Sequence, residues 1–163
     1  MDSGNSRYWV VIFGACNKAG EAFAVYLFKL GFKLILIDRS LRKLEALRVE
    51  LGGSGGSIEI IEVTEFERDY VEMKLKKTKE AEVKLFINTK NSRRKEAKGR
   101  DSDLQSVSTS RDVAPFSKEE IYFLGKENIE GYSSLLHFYL PALHQVENSA
   151  LLNIDTKLPK EGK

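Results

Sequence analysis

The chain has 163 residues, 42% of them hydrophobic and 31% charged, with a net charge of +2 at pH 7. That length suits one domain with a real core and excludes two comfortable ones, and so small a net charge argues neither for nor against nucleic acid, so that any basic patch must be local. Cys16 is the single cysteine, which rules out an internal disulfide and a thiolate metal cluster.

No apolar run approaches the roughly 20 residues that span a bilayer, so no transmembrane segment is expected. The N-terminus lacks the basic and apolar regions of a signal peptide. The expectation is a soluble intracellular protein, in the cytoplasm or the mitochondrial matrix.

An apolar run at 8–13 comes first, and its continuity suits a parallel strand buried on both faces. Phe13-Gly14-Ala15-Cys16-Asn17-Lys18-Ala19-Gly20 follows as a glycine turn. A helix over about 20–30 is predicted next, with Phe23, Tyr26, Leu27 and Leu30 on one face and Gly31 as its stop. A second strand, about 33–37, ends on Asp38. Strand, glycine turn, helix, strand and acid is the order of a βαβ unit that binds a dinucleotide. The turn lets phosphates approach the backbone, the helix N-terminus faces them, and the acid reaches the ribose.

Ser40 reads as the N-cap of a second helix whose apolar stripe is Leu41, Leu44, Leu47 and Leu51. The glycine–serine run at 52–57 follows a helix and precedes a strand, the wrong order for a phosphate loop, and reads as a flexible connector. A third strand is expected at about 58–63. Thr64 and Glu67 then look like a capping box for a helix that is acidic at its start and basic at its end. The fourth strand is 83–88. Residues 91–115, rich in Ser, Arg, Lys and Asp, are too long for an ordinary strand-to-helix loop and are expected to be mobile. A second capping box, Ser117 with Glu120, opens a long helix over 117–144 that Pro141 should bend or end. A last strand is expected at 150–154. The alternation predicts one α/β domain over 1–163. It is a three-layer, Rossmann-type, doubly wound parallel sheet of order 3-2-1-4-5.

With these motifs in hand, the chain resembles the short-chain dehydrogenase/reductase family. In that family's glycine motif, Phe13 takes the threonine place, Gly14 the first glycine, Lys18 the middle glycine and Gly20 the last. Glu62-Val63-Thr64 is similar to the Asp-Val-Thr after the third strand, which implies that Glu62 and Val63 contact adenine. Asn88 is what remains of the Asn-Asn-Ala-Gly turn after the fourth strand. Asn128-Ile129-Glu130-Gly131 matches an Asn-x-x-Gly motif, with Leu140-Pro141 after it, and the match makes Asn128 the asparagine of the proton relay. Asn153-Ile154-Asp155-Thr156 resembles the end of the fifth strand, with Thr156 at the place of the catalytic serine.

The family's Tyr-x-x-x-Lys pair belongs to a helix after the fifth strand, and the chain ends before it. Tyr70 with Lys74 and Tyr122 with Lys126 have the spacing but precede the serine position, and chance accounts for them.

Lys18 reads in two ways. Its ammonium could pair with a phosphate, or its side chain could obstruct the turn, and obstruction is the preferred reading. Asp38 would accept the ribose diol of NAD and repel the extra phosphate of NADP, with Arg39 softening that preference; the other reading is a strand ending on a solvated charge. Either cofactor fits this pattern, with NAD slightly preferred. Cys16 near a helix N-terminus could have a lowered pKa, or serve as a small turn residue, and the second is preferred. His137 and His144, two turns apart, have no acid or cysteine to complete a metal set. The basic run at 93–100 lacks aromatic interleaving and reads as a solvated loop, so no nucleic acid is expected.

The expected function is therefore a catalytically inactive, short-chain dehydrogenase/reductase-like binding or structural subunit. The alternative is an NAD(P)-dependent oxidoreductase whose remaining half comes from another chain or was lost in annotation. Self-association or a larger assembly is expected through the strand at 150–154 and the helix at 117–144, where apolar side chains exceed what one sheet face needs.

Overall fold

The computed structural model describes residues 5–52, 56–90, 122 and 125–154. Five parallel strands form one sheet in the order β3-β2-β1-β4-β5: β1 (Trp9–Phe13), β2 (Lys33–Asp38), β3 (Ile58–Glu62), β4 (Val83–Asn88) and β5 (Ala150–Asn153). The expected order is the observed one. The helices are α1 (Lys18–Lys29), α2 (Leu41–Glu50) and α3 (Arg68–Leu75), the last running into a 3-10 turn at Lys76–Thr78. A π-helical turn, Lys126–Gly131, leads into α4 (Tyr132–Gln145). The mobile-loop expectation at 91–115 and the second capping box lie outside the described residues.

Why β1 and the interior of β2 read as unbroken apolar runs follows from their two coverings. Val10 and Ile12 of β1 pack with Leu34 and Leu36 of β2 against Ala24 and Leu27 of α1 and Leu44 and Leu47 of α2. Val11 and Phe13 turn to the other face, where Ile35 and Ile37 meet Val71 and Leu75 of α3 and Leu135 and Tyr139 of α4. The result is three layers, with β1 at the centre between Ile35 of β2 and Phe86 of β4.

Several local expectations change. The buried stripe of α1 is Gly20, Ala24 and Leu27, while Tyr26 is 62% exposed. The cause is the approach of the helix to its own turn: a Cβ at Gly20 would collide with the Gly14 carbonyl oxygen and with Ala15. Small residues therefore take the inner face at the start of the helix, and Tyr26 is turned outward while Leu27 stays in. Leu41, at the first position of α2, is exposed rather than part of that helix's inner stripe. α3 starts at Arg68 with no side-chain cap bond at Glu67, and the Thr64 hydroxyl pairs instead with the Tyr70 hydroxyl at 3.0 Å. Pro141 does not end α4, which continues to Gln145.

Candidate functional site

Parallel strands point their C-terminal ends the same way, and the crevice there, beside the central strand, is where this architecture holds ligands. In this chain the crevice is lined by the turn after β1, the end of β2 and the segment after β4. Gly14 has φ +84°, a conformation a side chain rarely adopts, and a Cβ there would lie 2.8 Å from both the Lys90 nitrogen and Thr89 Oγ1. The Gly14 N–H donates to the Ile37 carbonyl at 2.9 Å, pinning the turn to β2.

Asn17 closes the turn from the helix side. It is the N-cap of α1, its Oδ1 accepting from the Gly20 N–H at 2.9 Å. Its Nδ2 donates across to the Thr89 carbonyl at 2.8 Å and to Thr89 Oγ1 at 3.1 Å. Thr89 is wholly buried, and its hydroxyl lies 3.0 Å from the Phe13 carbonyl and 2.9 Å from that of Gly14. One asparagine and one threonine thus stitch the glycine turn to β4.

Asp38 faces the same turn. Its Oδ2 accepts from the Cys16 N–H at 2.9 Å, and its Oδ1 accepts from the Arg39 N–H at 2.7 Å. The ammonium of Lys90 reaches Oδ1 at 3.3 Å, with the two side chains only 15% and 12% exposed. An ion pair that sheltered is screened far less than a surface one. The Cys16 thiol is pushed up to about 12, by burial first and then by the Asp38 charge. The direction is opposite to the lowered thiol pKa that the neighbouring helix N-terminus suggested: burial and the Asp38 charge both favour the neutral thiol.

The remaining sequence-assigned residues fall as follows. Glu62 lies opposite Asp38 in register, and its Oε1 accepts from the Leu41 N–H at 3.1 Å, so it caps α2. Ser40, the N-cap by position, makes no such side-chain bond. Val63 is buried, and its N–H donates to the Asp38 carbonyl at 2.9 Å. Asn88 donates to Asn153 Oδ1 at 2.8 Å, tying β4 to β5, and accepts the Lys90 N–H at 3.0 Å. Lys18 is exposed in the first turn of α1 and lines a shallow groove with Ala22, Val25 and Tyr26. Asn128 falls within the π-helical turn. Such turns are rare and often mark functional positions. Gly131 of the same motif has a packing reason, since a Cβ there would lie 2.5 Å from the Phe66 ring. Thr156 lies outside the described residues.

Sequence reasoning missed Asn17, Thr89 and Lys90. Asn17 carried a legible signal, an N-cap residue three before Gly20. Nothing local marks the other two, because their partners come from different strands. Each Tyr–Lys pair is internally engaged: Lys74 lies over the Tyr70 ring at 5.4 Å and Lys126 over Tyr122 at 5.2 Å. His137 meets Arg68 at 3.0 Å. Among the described residues there is no His, Cys, Asp and Glu cluster able to hold a metal, and no helix is long and apolar enough to cross a membrane.

A glycine turn on the central strand, an acid ending the next one and a 3-2-1-4-5 sheet define a Rossmann-type protein. Comparison with known proteins narrows this: the fold is that of the short-chain dehydrogenases/reductases. A glucose/ribitol short-chain dehydrogenase from Brucella melitensis superposes with a TM-score of 0.68 at 21% identity, covering 91% of this chain and 54% of that one. A D-mannonate oxidoreductase from Haemophilus influenza with bound NAD gives 0.70 at 16% identity, covering 91% and 54%. In sequence, human 17-beta-hydroxysteroid dehydrogenase type 3 is 35% identical over 81 residues, which is 49% of this chain and 26% of that protein. No family model matches the chain. The chain thus spans about half the length of these solved structures.

Tested against the dinucleotide of that fold, the turn fits. Lys18 and Ala19 open α1, and their N–H groups have no intrahelical acceptor, which suits a phosphate. The acid does not fit as arranged. A carboxylate offers about four lone-pair directions, and three donors already hold Asp38. A ribose diol brings two more.

Proposed function

We propose that this chain is a short-chain dehydrogenase/reductase-like protein working as a binding or structural component, catalytically inactive by itself. The observation that carries the reading is that the polar side chains of the crevice are tied to one another: Asn17 to Thr89, and Asp38 to Lys90. A dehydrogenase crevice needs such groups turned toward cofactor and substrate. The kept geometry of Gly14 and Gly20 supports weak binding of an adenine dinucleotide, and the NAD bound by the Haemophilus relative supports a nicotinamide one. If it binds, residues 14–20 would cradle the phosphates, and Glu62 and Val63 would flank the adenine.

Docking to a partner, or to a second copy, is part of the same reading. Leu151 and Leu152 of β5 are 44% and 40% exposed, and Leu140 of α4 is exposed as well. A second reading, an NAD(P)-dependent oxidoreductase completed by another chain, draws on the same intact turn.

The deciding experiment assays the purified protein with either nicotinamide cofactor against a panel of alcohols and carbonyls, with Tyr70→Phe and Tyr122→Phe as controls. No turnover is expected. Turnover that one of these substitutions abolishes would restore a catalytic tyrosine and end the inactive reading. The same preparation, sedimented at micromolar concentration, should be associated; a stable monomer would remove self-association.

A further inference from the structure

Lys90 follows Asn88 and Thr89 at the end of β4, whereas Asp38 ends β2, and β1 lies between those two strands. An ion pair that joins β4 to β2 must therefore cross the end of β1, over the glycine turn. It does: the Lys90 ammonium lies 5.8 Å from the centre of the Phe13 ring, and the Lys90 backbone abuts Gly14. Neighbouring strands are about 4.8 Å apart, so only a long side chain makes that span. Its target is the acid that reads the ribose in a Rossmann crevice.

We infer that Lys90 sets the dinucleotide selectivity of this crevice: its ammonium, held on Asp38 across the end of β1, competes with a ribose diol and cancels the carboxylate's repulsion of a 2′-phosphate. This rests on the reading that the turn takes an adenine dinucleotide. The consequence runs against the NAD preference that Asp38 alone implies. An NAD ribose must displace the ammonium to gain the carboxylate. The 2′-phosphate of NADP meets an acid whose charge is offset, and the ammonium, with three N–H donors, can accept a place between carboxylate and phosphate without leaving Asp38. A lysine serves here as a mobile point charge with a long flexible stem, which a rigid fork would not match.

The test is calorimetric titration of NAD and NADP into the wild-type chain, Lys90→Met and Lys90→Gln. Methionine keeps most of the stem without charge; glutamine keeps a polar tip without charge. Both substitutions should tighten NAD binding by about tenfold, the scale of one hydrogen bond to a charged group, and should weaken NADP. The ratio of the two affinities should thus move toward NAD by at least that factor. Binding with an unchanged ratio in both variants would overturn the role of Lys90 and leave the dinucleotide reading standing. No binding of either nucleotide by any of the three proteins at millimolar concentration would overturn the dinucleotide reading, and the selectivity role with it.

Discussion

Asn17 offers a direct measure of how firmly the glycine turn is held. Asn17→Ala removes the cap on the Gly20 N–H, bonded at 2.9 Å, and both donations to Thr89. Loss of an N-cap costs about 0.5–2 kcal/mol, and loss of the brace about 1 kcal/mol more. The sum, about 1.5–3 kcal/mol, corresponds to a fall in Tm of about 3–12 °C for a chain of this size. Asn17→Asp separates the two parts. It keeps the capping oxygen and adds a negative charge at a helix N-terminus, favourable by about 0.3–1 kcal/mol. It cannot donate to Thr89, however, and sets an oxygen against the Thr89 carbonyl. The aspartate variant should therefore lie between wild type and alanine. Urea unfolding followed by fluorescence of Trp9, the single tryptophan, in β1, measures all three. An alanine variant within about 0.5 kcal/mol of wild type would refute the brace-and-cap argument. An aspartate variant no better than alanine would show that the repulsion at the Thr89 carbonyl cancels the cap and the helix-terminus charge together.

Three further outcomes are expected. Thr78 has one hydroxyl proton, donated to the Leu75 carbonyl at 2.8 Å, so Tyr139 must be the donor in their buried 2.8 Å contact. Tyr139→Phe should then cost about 1 kcal/mol, whereas Thr78→Val strands a buried phenol and should cost about 2–3 kcal/mol; denaturation midpoints in the reverse order would sink the donor assignment. Because the thiol of Cys16 rises from its usual 9.0 to about 12, the folded chain keeps a proton that the unfolded chain sheds between those values. The stability linked to that thiol is full below about 9 and is lost as the pH climbs toward 12. Cys16→Ser should flatten that alkaline decline. Iodoacetamide should alkylate native Cys16 at pH 8 much more slowly than in urea, and equal rates would contradict the burial argument.

The kind and order of the elements were legible because they rest on local periodicity. Strands buried on both faces read as apolar runs, and right-handed crossovers leave few sheet orders to choose from. Asp38, Gly14 and Gly20 were legible for the same reason: a turn, a helix start and a strand end are short-range events. The inner face of α1 was not, because the approach of Gly20 to the Gly14 carbonyl, rather than the apolar spacing, sets the helix's rotation. Nor were the partners of the site residues. Asn17 and Thr89 are 72 positions apart, and Asp38 and Lys90 are 52 apart. They meet because the sheet sets β1 between β2 and β4, which brings the ends of three strands into one crevice. The sequence by itself determined that an acid would end β2 beside a glycine turn. Only the tertiary structure decided that a lysine just past β4 would reach across and hold it, because that contact depends on the spacing of strands side by side and not on any spacing along the chain.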